Sequence, residues 1–216
     1  MYPDSVETMT ARVTDALREQ VAEELPELAE IADARLRRLC VEAWAVALAN
    51  SSFGAIREVP PSGTPGRMVL VKGTQTDHIR GVTRLAMAIA DEFMASNPGL
   101  GIDRDIVVAG GLCHDVGKPW EYDTENRARW TAHPRRAGLP PMRHSTYGAH
   151  LCLLVGLPEE VAHIASAHSG EGELLLRSLE NTIINMADIG YWHVMLAGGM
   201  VDPATIADKY RRPLSL

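Results

Sequence analysis

Several histidines and an aspartate sit at helical spacings that turn them inward. His78 lies four residues before Val82 and seven before Leu85, so on a helix its imidazole joins their apolar stripe. His144 precedes Tyr147, Gly148 and Leu151 by three, four and seven residues, and His168 follows Ile164 by four and Val161 by seven. Asp188 follows Ile184 by four and precedes Tyr191, Trp192 and Met195. One inward histidine is usually a hydrogen-bonded core residue. An inward aspartate is rarer, because an unpaired buried carboxylate is costly. Four such groups on four helices, with His114-Asp115 at a helix end, are best explained by a shared cation that offsets their charge and uses their lone pairs.

The segment Gly110-Gly111-Leu112-Cys113-His114-Asp115-Val116-Gly117-Lys118 is the sharpest local signal. Its glycines permit close backbone approach and a turn after the helix. Adjacent His and Asp cannot share one helical face, yet at a helix end both can reach one metal. Lys118, three residues after Asp115, puts a cation where an anionic substrate could bind. The other histidines fail the spacing test. His163 would project about 140° from His168 on the same helix, and His150 about 120° from His144. With His193 they are expected to be structural or superficial. His133 is a candidate substrate contact.

These groups need helices to hold them, and nearly every long segment has helical periodicity. The fold class is all-α. Residues 1–73 form a helical extension, divided at Pro26, and a Pro- and Gly-rich connector in which 68–71 is extended. Residues 74–216 form the main body. There, a helix over about 76–95 carries Ile79, Val82, Leu85, Ala86, Ile89 and Phe93 on its apolar face, and a second follows an N-cap at Asp103. The stretch 118–143, with four prolines, reads as a long functional loop. Further helices are expected over 144–155, 158–167 and 174–196, and Asp202-Pro203 opens a final short one.

A net charge of −7 argues against nucleic acid as a partner, although Arg127, Arg129, Arg135, Arg136 and Arg143 cluster locally. No run is apolar and long enough to span a membrane, and no secretory signal precedes the first helix. Cys40, Cys113 and Cys152 form no CxxC pair, which fits buried thiols in a reducing cytoplasm. The apolar 44–48 region is a candidate face for a homodimer.

His78, then HDVGK from His114 to Lys118, then Asp188 after Met186-Ala187, resembles the HD superfamily of metal-dependent phosphohydrolases. His144-x-x-x-Gly148 and Ala167-His168-Ser169-Gly170 resemble the extra histidines of its two-metal members. The resemblance spans about 76–196. It implies an HD-domain helical bundle in which His78, His114, Asp115 and Asp188 bind a first metal and His144 and His168 a second, with Asp115 bridging. The His-rich set suits iron or manganese, with cobalt and nickel as family alternatives, better than magnesium. Asp115 and Lys118 would be catalytic. The expected substrate is a small anionic molecule, a phosphoester or nucleotide-like compound, met by Lys118, Arg84, Trp120, Tyr122, His133 and Arg143. Two other readings share the ligand pattern. One is a di-iron oxygenase, similar to myo-inositol oxygenase, that cleaves a C–C or C–P bond. The other is a binding module that holds metal without turnover.

Overall fold

The computed structural model describes residues 6–206. Expectations that fall on 1–5 and 207–216 lie outside the described residues. The fold is all-α. The extension contributes α1 (Val6–Thr10), α2 (Asp15–Glu24), a 3-10 turn at Pro26–Glu30, and α3 (Ala34–Ala49). Thr14 and Asp33 cap α2 and α3 by accepting from backbone amides of their first turns. Helix α3 enters the common core. Its Trp44 is fully buried and donates from Nε1 to the Leu112 carbonyl at 2.8 Å. Residues 43–48 are all buried within the chain, so the apolar region expected to serve a dimer is already covered by its own fold.

Helix α4 (Gln75–Ser96) starts at a capping box between Thr74 and Asp77. It packs between α5 (Arg104–Cys113) and α11 (Leu179–Ala197). Its buried stripe is Gln75, His78, Ile79, Val82, Thr83, Ala86 and Ala90. Leu85 and Phe93, expected on that stripe, face solvent at 45 % and 46 % exposure. The inner face follows the i, i+4 ridge of small residues instead, because α4 lies close against α5. At Gly111 an added Cβ would lie 3.0 Å from the Thr83 Cα, so only hydrogen fits there.

The largest departure from expectation is the stretch after Lys118. It is not a loop but three short helices: α6 (Lys118–Tyr122), α7 (Thr124–Ala132) and α8 (Pro134–Ala137). Pro119 and Pro134 occupy first-turn positions, where a missing N–H costs nothing, and Asp123 caps α7 through Asn126. Helix α9 (His144–Val155) and α10 (Glu159–Ala167) then form an antiparallel pair against α3 and α5. A 3-10 turn at Gly170–Leu174 precedes α11, which is unbroken and begins later than its periodicity suggests. Asp202 caps a last 3-10 turn at Pro203–Thr205.

The connector between α3 and α4 becomes a strap laid over one end of the bundle. Its extended part is joined to the segment after α11 by a bridge between Leu70 and Val201 and by bonds from the Met68 and Val71 amides to the Thr205 and Met200 carbonyls. Its other end is held from below by the α6 and α9 side chains described next.

Candidate metal centre

The bundle brings His78 (α4), His114 and Asp115 (the turn after α5), His144 (α9), His168 (the end of α10) and Asp188 (α11) to one buried point. Asp115 is its hub. Its Oδ2 lies 3.2 Å from His78 Nε2 and 3.3 Å from His114 Nε2. Its Oδ1 lies 3.4 Å from His144 Nε2 and 3.7 Å from His168 Nε2. Asp188 Oδ1 stands 3.4 Å from His78 Nε2, on the Oδ2 side. One carboxylate therefore presents an oxygen to each of two donor sets. His78, His114 and Asp188, and likewise His114, Asp115 and His168, have ligand atoms close enough together to hold an ion.

The donor chemistry fits a metal. Asp188 Oδ1 is buried without a hydrogen-bond partner among the described residues, a costly arrangement unless a cation satisfies it. Three imidazoles have their outer nitrogen engaged, which leaves Nε2 to face the centre. His114 Nδ1 donates to the Gly111 carbonyl at 2.7 Å, His168 Nδ1 to that of Ala165 at 3.0 Å, and His144 Nδ1 to Glu121 Oε2 at 2.7 Å. This outer hydrogen bonding fixes the tautomer that a ligand requires.

Electrostatics point the same way. Burial lowers His78, and burial with His114 nearby lowers His168 to about 4, so both rings stay neutral near pH 7. Burial opposes charge on His114 too, but the adjacent Asp115 outweighs it and raises that ring. For Asp115 burial alone would favour protonation. Lys118 and His114 overcome it and hold the carboxyl well below its ordinary range. Lys118 Nζ sits 2.6 Å from Asp115 Oδ2 and also donates to the Pro61 carbonyl.

A cavity of about 580 Å³ opens above these groups, roofed in part by the strap. Among the expected substrate contacts, Lys118 and Arg143 line it. Their cationic groups, however, are already paired: Lys118 with Asp115, and Arg143 with Glu121 at 2.7 Å and Glu171 at 2.9 Å. Four others stand away from it. Arg84 pairs with Glu27 on the outer side of α4. Trp120 stacks on Tyr147 with ring centroids 4.4 Å apart, and Tyr122 is buried with its hydroxyl donating to the Ser62 carbonyl. His133 is exposed at the end of α7. For Trp120 and Tyr122 the physical reason is the helicity of 118–122, which turns their rings onto Tyr147 and Ser62 rather than toward the opening. His163 is also elsewhere, its Nε2 accepting from the Ser178 amide. His150 is exposed next to Tyr147.

Sequence reasoning passed over Gln75, Glu121, Arg67 and His193. Gln75 donates to Asp115 Oδ2 at 2.9 Å, and its place three residues before His78 on the same helical face was a usable signal. Glu121 accepts from both the His144 amide and ring, each at 2.7 Å. Its partners lie more than twenty residues on, so local spacing could not reveal it. Arg67 lines the cavity, as does His193, whose side chain is also exposed.

A helical bundle whose helix ends converge a His, a His-Asp pair, two more His and an Asp on one enclosed centre is a metal-binding fold. The chain belongs to the HD domain family, whose model matches residues 76–189, more than half of its length. Among curated proteins it is similar to dihydroneopterin 2',3'-cyclic phosphate phosphodiesterase of Methanocaldococcus jannaschii, with 26% identity over 118 residues. That alignment covers 54% of this chain and 45% of the relative, so the chain spans less than half of that protein's length. No solved structure matches. No helix among the described residues is long and apolar enough to cross a membrane.

Proposed function

We propose that this chain is a phosphohydrolase that uses two divalent transition-metal ions, iron or manganese, to cleave a phosphoester of a small organic or nucleotide-like substrate. The observation that carries the reading is Asp115, whose two oxygens face two separate imidazole pairs. His78, His114 and Asp188 would hold one ion with Asp115, and His144 and His168 the other. Bound there, such ions supply Lewis acidity to a water and to the phosphoryl oxygens of the ester. The phosphodiesterase activity named for the relative, on a 2',3'-cyclic phosphate, supports the reaction class.

The remaining groups prepare the site. Lys118 keeps Asp115 ionised and oriented, and Gln75 fixes the same oxygen, so the carboxylate is already aimed before any ligand arrives. Glu121 and the Gly111 and Ala165 carbonyls hold three rings in the ligand tautomer. The strap and α11 wall the cavity, limiting water around the ester.

The test is elemental analysis of protein purified without oxygen, followed by assays on phosphomonoesters and 2',3'-cyclic phosphodiesters. The expected result is close to two ions per chain and phosphate-ester cleavage that does not require dioxygen. Asp115→Asn should lose both, with turnover down by at least about 100–1,000-fold, the typical loss when a preorganised electrostatic group is removed. Dioxygen consumption on an organic substrate, with no ester cleaved, would assign the centre to oxygenase chemistry. A tightly held metal with no turnover of either kind would leave a binding module.

A further inference from the structure

The three cations lining the cavity are not equally neutralised. Lys118 is neutralised by Asp115, and Arg143 by Glu121 and Glu171. Arg67 is different: it is exposed on the cavity wall, and its guanidinium has no ion-pair or hydrogen-bond partner among the described residues. It is also deliberately placed. Arg67 closes a turn by donating its amide to the Thr64 carbonyl at 3.0 Å. The next residue, Met68, holds φ at +52°, a left-handed conformation that a residue with a side chain rarely adopts.

Such a conformation persists only where the surroundings impose it, and here both flanks are tied down. Toward the N-terminus, Lys118, Tyr122 and Arg143 donate to the carbonyls of Pro61, Ser62 and Gly63. Toward the C-terminus, the Met68 amide donates to the Thr205 carbonyl and the Val69 amide to the Thr205 hydroxyl. The turn that presents Arg67 is thus fixed by side chains from α6 and from Arg143, just before α9, on one side and by the segment after α11 on the other.

We propose that Arg67 forms a subsite for a second anionic group on the substrate, remote from the bond that is cleaved; the proposal rests on the phosphohydrolase reading of the same cavity. The phosphoester would occupy the floor, where Asp115 is only 2 % exposed, while Arg67 stands at the opening. The same cavity is also lined by Met68, Ile189, Trp192 and Leu196, which suits a flat or apolar organic group. A volume of about 580 Å³ falls within the range usual for small-molecule sites, about 300–1,000 Å³. The substrate class is therefore an organic phosphoester with a ring or chain linking it to a carboxylate or second phosphate.

Two probes separate this from a general role in phosphate binding: phenyl phosphate, and 4-carboxyphenyl phosphate, which adds a remote carboxylate to the same ring. Calorimetric titration of the metal-loaded full chain should show wild type binding the carboxylated ester about 10-fold more tightly, the scale of one charge-assisted contact. Arg67→Ala should erase that preference while leaving phenyl phosphate binding and metal content unchanged. Arg67→Lys should keep most of it, which a variant that merely deformed the strap would not. Equal binding of the two esters by wild type, binding of neither, or equal losses for both in Arg67→Ala would overturn the subsite. Turnover is read separately. If wild type keeps the binding preference but cleaves no phosphoester, the phosphohydrolase reading fails and the subsite stands.

Discussion

Glu121 shows how much of this site lies outside its ligands. It is 1 % exposed and receives His144 through both amide and ring, and its other oxygen takes Arg143. The other two anchored imidazoles rely on neutral carbonyls. A carboxylate behind an imidazole raises its basicity and locks its orientation, and removing such a partner typically lowers metal affinity by about 10–100-fold. Glu121→Gln should therefore weaken, by that factor, the ion proposed to sit at His144 and His168. The ion proposed at His78, His114 and Asp188 should be spared, giving a stoichiometry near one at limiting metal. His163→Ala should leave metal content at the wild-type value, because His163 holds the start of α11 rather than the centre. Equal loss of both ions in Glu121→Gln, by titration of apo protein, would count against the assigned asymmetry. Four of the six candidate ligands, His78, His144, His168 and Asp188, were legible from periodicity because an inward group on a core helix shares the core's 3.6-residue repeat, whereas His114 and Asp115 were legible as a motif at a helix end. Glu121 and Arg67 were not, because each owes its role to partners distant in sequence or to a loop whose course no periodicity records.

At the scale of elements, the helices that carry the candidate ligands were visible from their apolar stripes, and α4 and α5 also begin at polar caps, Thr74 with Asp77 and Asp103 with Ile106. The stretch 118–137 was misread because its prolines look like helix breakers in sequence, whereas Pro119 and Pro134 begin helices. That stretch also shows where the fold is tightest. Gly117 sits in the turn between α5 and α6, where an added Cβ would lie 2.0 Å from the His144 carbonyl oxygen and 2.6 Å from the Gly148 amide. Both neighbours are backbone of α9, so neither can rotate away. Gly117→Ala should cost about 3 kcal/mol of stability, at the upper end of overpacking effects. It should also pull His144 away from Asp115 and so reduce metal uptake. Gly156→Ala is a useful contrast. An added Cβ there meets no atom within 4 Å, and the only penalty comes from its φ of +86°, about 1 kcal/mol. Chemical denaturation of both variants would show whether packing at Gly117 exceeds backbone strain at Gly156.

Across the whole molecule, the centre is where five chain segments meet: α4, the turn after α5, α9, α10 and α11. Without a cation the fold must enclose Asp188 Oδ1 with no hydrogen bond and only the His78 ring at 3.4 Å, while Asp115 is held by Lys118 and Gln75. An ion that binds only the folded chain stabilises it by about 2.7 kcal/mol at a hundredfold excess over its Kd. For a chain of this size that is a rise of about 5–10 °C in Tm. Manganese added to apo protein should produce such a rise. Asp188→Asn separates the two contributions. It removes a buried charge that has no hydrogen bond, so the apo Tm should stay level or climb, yet most of the metal-induced rise should vanish because a neutral amide is a poor ligand. If Asp188→Asn lowered the apo Tm by several degrees and kept the full response to manganese, Asp188 would be a structural acid rather than a ligand. The unpaired oxygen would then need another explanation.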